Sequence, residues 1–220
     1  MEIIGHRGCA DQYPENTVTA VKRSAEYVDA IEVDVRRCAS GELVVFHDET
    51  VDRLTGASGR IDDLTWAELS SLEVLDSGET VPLLSSVLSV FPDGVRAQIE
   101  LKDCGLAADL REVVTGANPD VSVSSFRPAA IEEVNELDWD VRTGYLFEDD
   151  PEGNLNTAVG LGCDTLHPHY DLCLRTDVVD AAHAEGMEVV AWKAARTSDE
   201  VAALRAAGAD GVTADRWDIA

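Results

Sequence analysis

Lysine is nearly missing from this chain: Lys22, Lys102 and Lys193 are the only three among 220 residues. Acidic residues outnumber lysine and arginine 43 to 17, for a formal net charge of -26 at pH 7. Such a surface repels polyanions, which argues against nucleic acid as a partner and against stable association with an anionic membrane. The composition fits a halophilic setting, where salt screens self-repulsion, although GC-rich coding that favours Arg, Asp and Ala leaves the same mark. Also absent is any uncharged apolar run long enough to cross a bilayer, and Met1 is followed by Glu2 instead of a basic signal region. Together these absences predict a soluble, cytoplasmic protein.

The five cysteines, Cys9, Cys38, Cys104, Cys163 and Cys173, are odd in number and show no C-x-x-C spacing. That argues against a zinc site or a disulfide framework and predicts free, mostly buried thiols. No linker, low-complexity tract or repeated motif interrupts the chain. Its 45% hydrophobic content is ordinary for a globular protein, so one domain over residues 1–220 is expected.

What recurs is a short apolar run followed by a helical stretch. Candidate strands lie near 3–4, 30–35, 95–101, 121–124, 141–146, 163–166, 188–192 and 210–212. Amphipathic segments at 17–28, 111–115, 128–137, 175–185 and 198–206 alternate with them, and Gly186 and Gly208 are natural helix stops. Eight such units predict an α/β protein with a closed (β/α)8 TIM barrel in preference to an open doubly wound sheet. Ser40-Gly41 lies between two extended runs with no room for a crossover helix. This predicts an added β-hairpin, with residues 43–46 antiparallel to the second strand. Residues near 49–80, with a short helix near 65–72, read as a small insertion above one end of the barrel.

Strand alternation then sorts the side chains. Glu32 and Asp34 share one face, opposite Ile31, Val33 and Val35; Gln98, Glu100 and Lys102 share another, opposite Ala97, Ile99 and Leu101. Packing the apolar faces on outer helices points Glu32, Asp34 and Glu100 into the barrel near the strand ends, where this fold carries active sites. Three such carboxylates repel one another unless a cation lies among them, and hard oxygen ligands suit one divalent cation, Mg²⁺ or Ca²⁺. The plainer alternative pairs them with Arg7, Lys102 or Arg36. His6 ends the first strand and His47 ends the hairpin strand. Beside a cation and Arg7 they supply what phosphodiester cleavage needs, an acid, a base and positive charge on the phosphoryl oxygens.

Gly5-His6-Arg7-Gly8 with Pro14-Glu15-Asn16-Thr17, then Glu32-Val33-Asp34, His47-Asp48 and Glu100-Leu101-Lys102, resembles the glycerophosphodiester phosphodiesterase family. None of these motifs is specific alone; their order and spacing are, and weaker echoes at Ser125-Phe126, Trp192 and "GADGVTAD" extend the likeness over essentially the full chain. The resemblance implies a TIM barrel that splits a small-molecule phosphodiester into glycerol phosphate and an alcohol. It implies metal ligation by Glu32, Asp34 and Glu100, acid/base roles for His6 and His47, and substrate contacts from Arg7, Lys102 and Trp192. Glu15 and Asn16 would brace the first loop and Asp48 would orient His47.

The chain departs from the family pattern after Trp192, where Lys193 and Ala195 stand in place of Thr and Asn, and at Asp215-Arg216-Trp217, where the closing motif commonly continues into proline. Both departures bear on headgroup choice, and Lys193 reads equally as a phosphate contact or an exposed strand-end charge. In "LHPHYD", His167 and His169 offer a competing metal pair, but the proline between them suggests a loop and the stretch is expected to form a substrate-pocket wall. Two rival functions are a related barrel phospholipase or lyase acting on intact lipid, which the lack of an amphipathic anchor disfavours, and a catalytically silent ligand-binding barrel. Headgroup, preferred ion and oligomeric state are not encoded in any of these motifs.

Overall fold

The computed structural model describes residues 1–193 and 197–219. Its sheet contains β1 (Glu2–Gly5), β2 (Ala30–Arg37), β3 (Leu43–Val45), β4 (Arg96–Leu101), β5 (Val121–Ser125), β6 (Arg142–Phe147), β7 (Thr165–Pro168), β8 (Glu188–Ala191) and β9 (Gly211–Ala214). All strands but β3 pair in parallel. β1 lies between β2 and β9, which closes an eight-stranded barrel in the order β1-β2-β4-β5-β6-β7-β8-β9. β3 turns back on β2 with Val35 opposite Val45 and Arg37 opposite Leu43, the expected hairpin.

Alternation builds the main core. Ile31, Val33 and Val35 of β2 and Ala97, Ile99 and Leu101 of β4 are buried outside the barrel, in one cluster with residues of the surrounding helices such as Leu110, Ile131 and Leu204. The helices are α1 (Val18–Ser24), α2 (Trp66–Leu69), α3 (Leu84–Leu88), α4 (Ala107–Val114), α5 (Pro128–Asn135), α6 (Pro151–Leu161), α7 (Tyr170–Arg175), α8 (Val178–Ala184) and α9 (Ser198–Ala206). Local chemistry sets their starts: the Thr17 hydroxyl accepts from the Ala20 N–H at α1, proline opens α5, and Thr197 and Glu200 form a capping box at α9. No described helix is long and apolar enough to cross a membrane.

Three elements differ from expectation. The helix anticipated over 175–185 is α8, which starts only at Val178 because Thr176 is extended at φ -132° and ψ 176°; Arg175 instead ends α7, which was not anticipated. α6 was not anticipated, since Gly153 and Gly160 dilute its propensity; Asp150 and Pro151 start it and Gly162 ends it. β7 runs through Pro168 where a loop was expected. Pro168 accepts from the Trp192 N–H while the donor to Phe147 O is His169, so the ladder asks no N–H of the proline.

Residues 49–80 form an excursion with its own core: Val51, Leu54, Ile61, Leu69 and Val74 cluster with the adjoining Val81 and with Val44 and Phe46 of the hairpin. Within it α2 is a single turn, and the Thr19 hydroxyl donates to Glu79 Oε1 at 2.6 Å, tying the excursion to α1.

Candidate active site

The first strand ends in a tight turn over His6–Gly8, in which Arg7, Gly8 and Cys9 are consecutively left-handed, at φ 52°, 77° and 68°. A Cβ on Gly8 would lie 2.7 Å from Ala20 Cβ, so the close approach to α1 as well as the backbone requires glycine here. The turn aims the Arg7 N–H at Glu32 Oε2, 2.9 Å away, and sends its side chain across to Asp34 (Nε to Oδ2, 3.2 Å) and Glu15 (Nη1 to Oε1, 3.0 Å). Asn16, itself at φ 59°, donates Nδ2 to Asp34 Oδ2 at 2.8 Å and accepts the Asp34 N–H at 3.2 Å. Asn16 therefore ties the loop to β2, while Glu15 bonds to Arg7 within the loop.

Glu32, Asp34 and Glu100 are all buried and present carboxylate oxygens within 4.8 Å of one another. Lys102 Nζ donates to Glu100 Oε1 at 2.5 Å and lies 3.4 Å from Asp34 Oδ1. The pairing alternative is thus realised in part, by Arg7 and Lys102; Arg36 instead reaches Asp103 at 2.8 Å and the His47 carbonyl at 3.0 Å. The positive charge is not enough. Burial, then the neighbouring Asp34 charge, pushes the Glu32 pKa up to about 8, and burial with Asp34 also raises that of Glu100. Burial raises Asp34 too, but Lys102 and Arg7 outweigh it and hold Asp34 below the ordinary range. Glu32 Oε1 and Asp34 Oδ1 are buried without a hydrogen-bond partner. Three buried carboxylates at this spacing, two of them with an oxygen that makes no hydrogen bond, fit a hard divalent cation.

Two imidazoles flank this centre. His6 Nδ1 lies 2.6 Å from Asp215 Oδ1, and its Nε2 lies 3.9 Å from Glu32 Oε2. Burial lowers the His6 pKa, but Asp215 and Glu32 outweigh burial and leave it raised. His47 Nδ1 lies 2.6 Å from Asp48 Oδ1, and there burial prevails and lowers the pKa. With Nδ1 engaged by an aspartate in each ring, Nε2 is left as the nitrogen for chemistry.

An open cleft of about 500 Å³ lies above these groups, walled by Phe126, Glu148, Trp192 and Lys193 as well as by His6, His47 and Lys102. Trp192 is held by its indole N–H, which donates to Phe147 O at 2.9 Å, and Phe126 meets its ring edge-on at 5.0 Å. Lys193 sits at φ 54° with Nζ 5.9 Å from the Trp192 ring centre; Ala195 lies outside the described residues.

His167 is no pocket wall. It points into the barrel and lines a small cavity with Glu2, Arg96 and Ser122, because alternation along β7 turns it inward. His169 packs edge-on against Trp192 at 5.2 Å, and the two histidines share no metal cluster among the described residues. Two residues take places that were not expected of them. Asp215 sits just after β9, where the sequence marked Asp215-Arg216-Trp217 only as a departure bearing on headgroup choice, and Arg53 lies in the excursion. Arg53 bridges Glu15 (2.9 and 2.8 Å) and Asp48 (2.5 and 3.1 Å). All five cysteines are free, with only Cys104 exposed, and burial raises the pKa of Cys9 to about 12, which argues against a reactive thiol beside the site.

Functional groups drawn from the ends of β1, β2, β4, β8 and β9 meet at one mouth of the barrel, the carboxyl-terminal one. That placement, with a buried carboxylate triad beneath two aspartate-held imidazoles, defines an enzyme of the (β/α)8-barrel class. The sequence profile of the glycerophosphoryl diester phosphodiesterase family matches residues 6–219, and the chain belongs to that family. It is 30% identical to a glycerophosphodiester phosphodiesterase of Caldanaerobacter subterraneus subsp. tengcongensis, over 97% of this chain and 93% of the relative. Among solved structures it is similar to an Oleispira antarctica phosphodiesterase in complex with the product sn-glycerol-3-phosphate, at 27% identity and a TM-score of 0.91, covering 98% and 93% of the two chains. A glycerophosphodiester phosphodiesterase from Thermotoga maritima is 25% identical with a TM-score of 0.85, over 99% and 96%.

Proposed function

We propose that the protein hydrolyses glycerophosphodiesters to glycerol phosphate and an alcohol, using His6 and His47 as the acid/base pair and one divalent cation, Mg²⁺ or Ca²⁺, held by Glu32, Asp34 and Glu100. The observation that carries this reading is the placement of two imidazoles, each fixed at Nδ1 by an aspartate 2.6 Å away, at the mouth that holds the carboxylate triad. The glycerol phosphate product of the Oleispira relative supports the substrate class.

When bound, the cation supplies charge stabilisation to the phosphoryl oxygens. The chain's own residues do the rest. Arg7 and Lys102 line the cleft beside the triad and orient the phosphate by charge-assisted hydrogen bonds. A hydroxyl attacks phosphorus and gives its proton to one imidazole; it comes from water, or from the glycerol carbon next to the ester, in which case departure of the alcohol leaves a cyclic phosphodiester that water then opens to glycerol phosphate. The bond to the alcohol oxygen breaks, and the other imidazole returns a proton to that oxygen. Asp215 and Asp48 hold the two rings in the tautomer that leaves Nε2 free for these transfers. Phe126 and Trp192 form an apolar wall for the organic part of the substrate. The acidic surface is consistent with cytoplasmic work at high salt on a small substrate, away from nucleic acid and membranes.

The test is hydrolysis of glycerophosphocholine, glycerophosphoglycerol and a chromogenic phosphodiester with and without chelator. Cleavage is expected to be chelator-sensitive and to vanish in Glu32→Ala and in His6→Ala while both variants stay folded. Full activity in either variant, or with all metal removed, discards the mechanism. Equal rates on analogues lacking the neighbouring hydroxyl exclude the internal-hydroxyl route.

A further inference from the structure

We propose that Arg53 is a positioning residue that couples the first loop to His47. The inference rests on the reading above, in which His47 transfers a proton. Arg53 reaches the site from the excursion, and it touches neither the carboxylate triad nor either imidazole. What it touches are the two carboxylates that brace the groups at work. Its guanidinium donates Nη1 and Nη2 to the two oxygens of Glu15, at 2.9 and 2.8 Å, and Nε and Nη2 to the two oxygens of Asp48, at 2.5 and 3.1 Å. Glu15 in turn accepts from Arg7 at 3.0 Å, and Asp48 lies 2.6 Å from His47 Nδ1. A continuous line therefore runs Arg7–Glu15–Arg53–Asp48–His47, from the loop after β1 to the end of the hairpin.

Only a guanidinium can occupy its middle. Its planar fork presents donors on two edges at once, so each carboxylate is gripped at both oxygens and cannot rotate. Lysine would bring the charge without the fork. The backbone on both sides of Arg53 is anchored, since Val51 and Leu54 are buried in the excursion's separate core. Val51 N–H bonds to Gly59 O at 2.9 Å and Thr55 N–H to Val51 O at 3.0 Å, which fixes the turn that projects the side chain. The excursion's core thus has a consequence at the cleft, because it holds the residue that sets the orientation of Asp48.

The Arg53 side chain is 46% exposed, so its pairs should add little to stability. A positioning role and a merely structural one then part company. In Arg53→Met, kcat should fall about 10- to 100-fold, the scale on which small misplacements act, with the melting temperature nearly unchanged and KM moved less than kcat. The double variant Asp48→Asn/Arg53→Met should fall no further than the worse single, because both act through one contact. Arg53→Lys should remain at least about fivefold below wild type, and it carries the test if Arg53→Met does not fold. A wild-type kcat in Arg53→Met or Arg53→Lys overturns the relay, as do independent, multiplying losses in the double variant. His47→Ala is measured alongside. An inactive His47→Ala beside a fully active Arg53→Met removes the relay alone, whereas an active His47→Ala removes the mechanism and the relay together.

Discussion

Buried at 3% exposure inside the barrel, His167 should make the fold acid-labile in a way that one substitution can isolate. Its Nε2 lies 2.8 Å from Thr165 Oγ1, and that hydroxyl donates to Thr143 O at 3.3 Å, so the imidazole is the donor to Thr165 and Nδ1 carries the lone pair. Nδ1 has no partner, and a proton placed there would be a buried, unpaired charge. Gly144 leaves the room for the ring, since a Cβ there would lie 2.5 Å from Nε2. Burial first, and Arg142 second, lower the His167 pKa from 6.5 to about 3. The sign follows by linkage: the unfolded chain binds this proton below about pH 6.5 and the folded chain does not. The stability contributed by keeping His167 neutral is therefore whole above pH 6.5 and is lost as pH falls toward 3. Between pH 7 and pH 4.5 the loss amounts to about 2–3 kcal/mol, at about 1.4 kcal/mol per pH unit. Urea unfolding of wild type and His167→Gln across this range, followed by far-UV circular dichroism, separates this contribution from that of the carboxylates, which both proteins share. Wild type should lose about 2–3 kcal/mol more than the variant over the interval. Parallel stability curves would refute the buried neutral histidine.

Two further outcomes are expected. Gly8→Ala should lower stability by about 1–3 kcal/mol in denaturant unfolding and depress activity with it, because the left-handed backbone and the 2.7 Å approach to Ala20 both resist a side chain. Raising NaCl from low to molar concentration should raise the melting temperature, since a net charge of -26 repels itself and salt screens it; a fall in melting temperature would count against the high-salt reading.

The parts of the site legible in the sequence were those fixed by local rules. Period-two alternation places Glu32, Asp34 and Glu100 inward and sends Ile31, Val33, Ile99 and Leu101 to the helices, as the structure has them. The hairpin was legible because Ser40-Gly41 leaves no other connection. His167 shows the limit of the same rule: a two-residue error in the start of β7 and a proline read as a loop hid which way the ring points. Arg53 was illegible for a different reason. Nothing in "VDRLTG" distinguishes a surface arginine from a bridging one until the excursion folds back over the cleft. Asp215 likewise acquires a role only when β9 is set beside β1, which is a fact of closure and not of any local pattern.

That closure has a kinetic consequence. His6 and Asp215 stand 209 positions apart yet meet at 2.6 Å, and two residues on, Trp217 joins the chain's start too, its N–H donating to Gln12 and its ring stacking on Tyr27. Few contacts in any chain have so high an order, and such contacts form late because the entropy of closing the loop must be overcome first. During synthesis the 209 positions that separate the two residues must leave the ribosome before the aspartate can dock. Turnover therefore depends on closure: a barrel in which β9 has not docked on β1 lacks the partner of its first histidine.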